Sequence, residues 1–193
     1  MTAATAGIED VRRLNEQFEG AHPADAIRWA VENVTPGRLI VASSFGPTGM
    51  VNLHSLAEIA PEVPVAFVDT LYHFPETLEH AERVKAHYGL DVRVYRPAAS
   101  REAFEEKYGE QLWKRDLELF HRLTRVEPMK RALRGVEGWI TGRRRDQSDS
   151  RANLAHVEIG DRIKVNPVAS WSSDEVWSFI RANDISYNPL HDL

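Results

Sequence analysis

Apolar positions recur along this chain in two rhythms, one with the spacing of a helix face and one of short unbroken runs. Helical spacing covers Ile8 to Phe18 and Ala24 to Val34, the second stretch introduced by Pro23, a residue suited to a first helical turn. Pro36-Gly37 then breaks the chain. Leu39-Ile40-Val41-Ala42 is a continuous apolar run of the kind buried in a parallel sheet, followed by a Ser/Gly/Pro turn and an apolar helix from Thr48 to Ala60. The unit repeats: Val63 to Val68 predicts a strand and Pro75 to Tyr88 a helix, then Val92 to Tyr95 a strand and Arg101 to Tyr108 a helix. Gly138 to Gly142 reads as a fourth strand and Arg162 to Val168 as a further one. Ser172 with Glu175 three residues on forms a capping box ahead of Val176, Trp177 and Ile180.

Strands alternating with helices predict an α/β fold, a doubly wound and mostly parallel sheet with right-handed crossovers. Ligands bind such sheets at the carboxyl ends of the strands, near the point where strand order reverses. The loops that matter therefore follow Ala42, Val68 and Ile140. We expect one domain over residues 1–193, with N-terminal helices in 1–35 and the core in 38–193, and see no repeat or linker.

Composition narrows the function. The 193 residues, 42% hydrophobic and 27% charged, suit one soluble globular core. No stretch approaches the roughly 20 apolar residues of a membrane helix, and Met1 to Glu19 lacks a signal layout, so a cytoplasmic protein without membrane association is expected. There is no cysteine, which excludes disulfides, cysteine-ligated iron–sulfur clusters and a cysteine nucleophile within these residues. A formal charge of −5 argues against a nucleic-acid partner. Positive charge is nevertheless concentrated from Arg122 to Arg151, where Arg122, Arg125, Lys130, Arg131, Arg134, Arg143, Arg144, Arg145 and Arg151 outnumber Glu127, Glu137, Asp146 and Asp149. Such local concentration suits one small anion.

Ser43-Ser44-Phe45-Gly46-Pro47-Thr48-Gly49 runs from a strand into a helix, where small residues and exposed N–H groups favour an anion; a tight turn capped by Thr48 fits the spacing equally well. It is neither a Walker loop nor a GxGxxG fingerprint. In the second loop, Asp69 to Thr77, Asp69 can accept hydrogen bonds from a ribose or base, and Phe74 can offer an apolar face to adenine; Pro75 and Glu76 also suit a helix start, and His73 a solvated loop. No spacing of His, Asp and Glu suggests a metal site. The third loop, Gly142 to Arg151, carries three consecutive arginines whose guanidinium forks match phosphate and sulfate oxygens; some can reach a ligand while others pair with Asp146 or Asp149.

Taken together, SSFG at Ser43 to Gly46, DT and FPET within Asp69 to Thr77, VEPMKRAL at Val126 to Leu133, TGRRRDQS at Thr141 to Ser148, SRANL at Ser150 to Leu154, KVNP at Lys164 to Pro167 and YNPLHD at Tyr187 to Asp192 resemble the sulfonucleotide reductases. The resemblance runs from Arg38 to the end. It implies a fold like the ATP pyrophosphatases (adenine nucleotide alpha hydrolase-like, PP-loop), and a nucleotide pocket made by Ser43, Ser44, Phe45, Gly46, Asp69, Thr70, Phe74, Glu76, Thr77, Arg125, Gly142, Arg143, Arg144, Arg145, Gln147, Ser148 and Arg151. ATP pyrophosphatases carry SGG-x-D-S where this chain has Ser43 to Gly46, which argues against an ATP-using adenylyltransferase. The cluster-bearing adenylyl-sulfate reductases carry a cysteine pair where alignment puts Phe120-His121, so the cluster-free branch, whose usual substrate is 3′-phosphoadenylyl sulfate (PAPS), is favoured over adenylyl sulfate (APS). No bound cofactor is expected; thioredoxin or glutaredoxin would be the reductant, and a homodimer is implied. The family's nucleophile is a cysteine in a C-terminal tail. The chain ends at Leu193 without it, so we expect either a shortened chain or a sulfonucleotide-binding module without chemistry, the former preferred.

Overall fold

The computed structural model describes residues 8–192. Six strands form one sheet in the order β3-β2-β1-β4-β6-β5. They are β1 (Leu39–Ala42), β2 (Val65–Val68), β3 (Val92–Tyr95), β4 (Gly138–Thr141), β5 (Val157–Ile159) and β6 (Ile163–Val165), all parallel except β5. The order turns back beside β1. β2 and β3 extend to one side, and β4 returns to the other, so β1 and β4 flank the switch point.

Alternation along the strands feeds two unequal layers. Val41, Val65, Phe67, Ile140 and Val165 face the larger core, closed by α2 (Pro23–Asn33), α3 (Pro47–Ile59), α4 (Pro75–Tyr88) and α9 (Ser173–Ala182). Ile40, Ala66 and Trp139 face the other side, where α8 (Glu127–Ala132) packs through Met129 and Ala132. α1 (Ile8–Phe18) seals the edge at β5: Asn15 Nδ2 donates to the Val157 carbonyl and Asn15 Oδ1 accepts from the Val157 N–H, both at 2.9 Å. An open strand edge is thereby capped by one amide side chain.

The strand from Arg162 to Val168 is shorter than expected, because Asn166-Pro167 cannot extend the ladder and only Ile163–Val165 pairs. Its antiparallel partner β5 escaped the sequence reading because three residues carry too little periodicity. Four helical pieces between 112 and 132 were likewise unassigned: α6 (Leu112–Arg115), α7 (Leu117–His121), a π-helical turn (Arg122–Val126) and α8. With α5 (Arg101–Tyr108), α6, α7 and the π-helical turn form a satellite cluster of Phe104, Leu112 and Phe120, into which Tyr72 reaches from the loop after β2.

Gly138 opens β4 against α2. A Cβ there would lie 2.6 Å from Val34 Cγ2 and 3.3 Å from Leu39 Cδ1. Neither stiff branched neighbour can yield freely, so Gly138→Ala is expected to cost about 1–3 kcal/mol by overpacking, read as a lower urea midpoint at unchanged m-value.

Candidate functional site

The carboxyl ends of β1, β2 and β4 bring the loops at Ser43, Asp69 and Gly142 to one rim of the sheet. Two of them touch backbone to backbone: a Cβ on Gly142 would sit 3.4 Å from the Gly49 nitrogen and 3.5 Å from the Thr48 carbonyl carbon. Small residues are thus required where the first and third loops converge. The end of β4 is fixed from below. Asn52 of α3 donates to the Thr141 carbonyl at 3.1 Å, and Thr141 Oγ1 donates to Asn166 Oδ1 at 2.6 Å. Asn166 in turn donates to Glu158 and to the Ala155 carbonyl.

In the first loop, buried Ser43 accepts the Phe45 N–H on Oγ at 3.0 Å and bends the chain so that Phe45 takes φ +58. A phenylalanine in the left-handed region costs about 1 kcal/mol or more, a strain that clusters at ligand sites. The Phe45 ring does not face a ligand. It is buried edge-on against Phe67, centroids 5.2 Å apart, so the contribution of Phe45 to the rim is its backbone. Ser44 is exposed beside it. α3 follows with Gly46 at its N-cap and Pro47 in its first turn, and no side chain caps it; Thr48 does not take that role. Among the described residues no side chain takes up the Thr48 and Gly49 N–H groups at the positive end of this 13-residue helix, an arrangement suited to a phosphate or sulfate. A Cβ on Gly49 would lie 2.6 Å from Ser43 Oγ. Gly49→Ala is accordingly expected to push Ser43 off the Phe45 N–H and weaken anion binding about tenfold, while stability changes little; calorimetric titration beside a urea curve separates the two.

The second loop uses Asp69 differently from the expectation. Its carboxylate is buried and already engaged, accepting the Leu71 N–H on Oδ1 at 2.9 Å and the Arg96 Nε–H on Oδ2 at 2.8 Å. It therefore shapes the loop, holding Leu71 at φ +69, rather than offering a free acceptor to a ribose. Thr70 Oγ1 accepts the Tyr72 N–H. Burial, with Glu105 close by, raises the Tyr72 hydroxyl pKa. His73 is no solvated bystander: its Nε2 lies 3.1 Å from the Val68 carbonyl and its ring lies near Phe67. Phe74 is 67% exposed at the N-cap of α4, and Glu76 is exposed in the first turn. Thr77 accepts from Asn188, which ties this loop to the C-terminal segment.

The arginines of the third loop divide. Arg145 donates through Nε to the Leu154 carbonyl and through Nη1 and Nη2 to Glu19 at 2.7 and 2.9 Å, so its whole fork is consumed within the chain. The expected ligand contact is unavailable to it. That hydrogen bond holds the Glu19 carboxyl below its ordinary range. Arg144 is buried, its Nε 3.1 Å from Asp146 Oδ1, and its backbone N–H donates to Gln147. Gln147 also accepts from Arg151, and Ser148 bonds to Ser150, so all three shape the loop. Arg143, about as exposed as Arg145, differs in having only a loose 3.7 Å pairing to Glu158. Arg125, exposed in the π-helical turn, makes no side-chain hydrogen bond or ion pair among the described residues. π-turns of this kind occur frequently at functional sites. Arg96 and Arg131, absent from the sequence-derived set, stand beside Asp69: Arg131 donates to the Arg96 carbonyl while Arg96 grips the carboxylate. Arg96 follows the end of β3, and Arg131 belongs to the basic stretch from Arg122 to Arg151.

The described residues contain no grouping of three or more His, Cys, Asp or Glu able to hold a metal ion, and no helix among them is long and apolar enough to cross a membrane. The site can bind and orient an anionic nucleotide through backbone N–H groups, hydroxyls and guanidinium groups. It holds no cysteine.

Residues 38–193 match the phosphoadenosine phosphosulfate reductase domain family. A phosphoadenosine 5′-phosphosulfate reductase of Xanthomonas euvesicatoria is 38% identical over 192 residues, covering 96% of this chain and 79% of its own. The crystal structure of phosphoadenylyl-sulfate reductase from Candida auris, a phosphate complex, superposes with a TM-score of 0.84 at 33% identity, over 97% of this chain and 92% of that one. FMN adenylyltransferase of Candida glabrata shares the fold alone, at TM-score 0.62 and 14% identity over 97% of this chain and 62% of its own. With the family matched over most of its length and the same architecture in a solved relative, the chain belongs to the phosphoadenosine phosphosulfate reductase domain family.

Proposed function

We propose that this chain is the nucleotide-binding core of a reductase that converts 3′-phosphoadenylyl sulfate to sulfite and adenosine 3′,5′-bisphosphate with electrons from thioredoxin. The observation that carries this reading is the uncapped N-terminus of α3, set against Gly142 at the switch point of the sheet with Ser43 and Ser44 beside it. An anion bound there meets fixed N–H donors.

The chemistry runs as two thiol steps. A cysteine thiolate attacks the sulfonate sulfur; the S–O bond to the nucleotide breaks, the electron pair leaves with the phosphate, and an S-sulfocysteine forms. A thiol of reduced thioredoxin then attacks that cysteine sulfur, expelling sulfite, and the second thioredoxin thiol resolves the mixed disulfide. The residues of this chain supply the binding, not the nucleophile. Thr48 and Gly49 N–H groups and the two serines hold charged oxygens, and Arg143 and Arg125 neutralise the remainder. Asp69, Arg96 and Arg144 keep the loops in shape.

Parallel calorimetric titrations with adenosine 3′,5′-bisphosphate, AMP and ATP test the reading. The bisphosphate is expected to bind about tenfold or more tightly than AMP, because an added phosphate meets guanidinium partners. Equal affinities for bisphosphate and AMP would remove the basis for a 3′-phosphorylated substrate. Preference for ATP would point back to adenylyl transfer.

A further inference from the structure

α1 lies before the matched residues 38–193, yet its end reaches the arginine loop. Asn15 anchors the helix on β5 through its two hydrogen bonds to Val157, and Phe18 packs into the core beside Trp29. Glu19, whose N–H donates to the Asn15 carbonyl, then projects its carboxylate into the bidentate grip on Arg145. Arg145 joins four pieces of chain: Glu19, the Leu154 carbonyl through Nε, the Ala169 carbonyl through its own N–H, and the loop that carries Arg143 and Arg144. Buried His156 faces the same carboxylate, Nε2 to Oε2 3.7 Å, and burial lowers its pKa, so the neutral ring leaves the carboxylate to Arg145.

We infer that Glu19 is a positioning residue for the nucleotide site, acting through Arg145 to hold the loop from Gly142 to Arg151 in its binding shape. The inference rests on the reading of that loop as part of the pocket. Without Glu19 the loop keeps the Arg145 bonds to the Leu154 and Ala169 carbonyls and the loose Arg143–Glu158 pair, while its other side-chain ties, Gln147 with Arg144 and Arg151, Arg144 with Asp146, and Ser148 with Ser150, are internal and move with it. Glu19 is half exposed, so its ion pair adds little to global stability, and its effect falls on the loop.

The test uses Glu19→Gln, Arg145→Gln and the double variant, comparing amide hydrogen exchange over residues 142–154, affinity for adenosine 3′,5′-bisphosphate, and the urea midpoint. Glu19→Gln is expected to speed exchange in the loop and weaken binding roughly three- to tenfold, with the midpoint nearly unchanged. If Glu19 acts through Arg145, the double variant binds no more weakly than Arg145→Gln. Unchanged loop exchange in Glu19→Gln, or losses that simply add in the double variant, overturns the inference. Should the parent chain bind no adenosine bisphosphate, the nucleotide reading fails on its own, and the exchange comparison still decides whether Glu19 holds the loop.

Discussion

Acidifying the protein from about pH 7 to about pH 4 is expected to remove on the order of 3 kcal/mol of folding stability through His80 alone. His80 lies on the buried face of α4 with 0% of its surface exposed, and neither ring nitrogen has a hydrogen-bond partner. Burial first, then the nearby charges of Arg83 and His191, depress its pKa from 6.5 to about 4. In the unfolded chain the imidazole takes up its proton near pH 6.5, whereas the folded protein resists until about pH 4. Across that window the unfolded state binds the extra proton, so stability falls as pH falls, and above it His80 contributes no pH dependence. Urea midpoints for the parent and for His80→Leu, taken at about pH 7 and about pH 4.5, isolate this residue from the carboxylates that also titrate. The variant is expected to match or exceed the parent at neutral pH, since two orphaned buried nitrogens are removed, and to lose much less on acidification. His156, shifted in the same direction by burial, leaves a residual slope. Parallel losses in the two proteins would show that His80 is not the acid-sensitive group. Because Thr77 in the same helix accepts from Asn188, loosening of α4 would also release the C-terminal segment around Asn188.

Much of the layout was legible because each long element carried its own signal. α4, β3 and α5 fall on the stretches read from the apolar spacing, and the Ser172–Glu175 capping box at α9 forms as expected, with the Ser172 N–H donating to Glu175 at 2.7 Å. The three loops were located by their strand ends alone. What escaped was decided by distant partners. Nothing near Asp69 in sequence reveals that Arg96 will occupy it, since that guanidinium comes from the next strand end. Arg143, Arg144 and Arg145 look alike on paper; they separate only when Glu19, 126 residues away, takes one of them and burial beside Asp146 takes another. The resemblance places Phe45 in the expected pocket as part of the Ser43–Gly46 motif, but the Ser43 turn drives its ring inward. Local chemistry thus pointed to the pocket, while the division between residues that touch a ligand and residues that shape loops was set by the tertiary structure.

These 193 residues alone are expected to bind adenosine 3′,5′-bisphosphate and to release no sulfite. Among the side chains of this chain, serine and histidine are the nearest substitutes for a thiolate, and neither completes the cycle. Ser43 Oγ accepts the Phe45 N–H and keeps its own proton for a bound oxygen, and an alkoxide adduct on sulfur would give a sulfate ester that a dithiol cannot reduce. His73 is half-buried with its Nε2 beside the Val68 carbonyl, and an N-sulfonated imidazole returns sulfate to water, again without a two-electron step. Only a sulfur nucleophile makes the S–S bond that thioredoxin cleaves. Binding does not depend on it, because the uncapped α3 terminus, Ser43, Ser44 and Arg143 all lie within these residues. The measurement pairs the titration with a coupled assay of sulfite release from 3′-phosphoadenylyl sulfate and reduced thioredoxin, for this chain and for a version extended past residue 193 by a tail bearing one cysteine. Turnover confined to the extended form, and abolished there by Cys→Ser at bisphosphate affinity close to that of the parent, is the expected pattern. Sulfite release by the cysteine-free chain at a comparable rate would falsify the two-thiol mechanism, and failure of the extended form to turn over while both bind nucleotide would reduce the role of this core to binding.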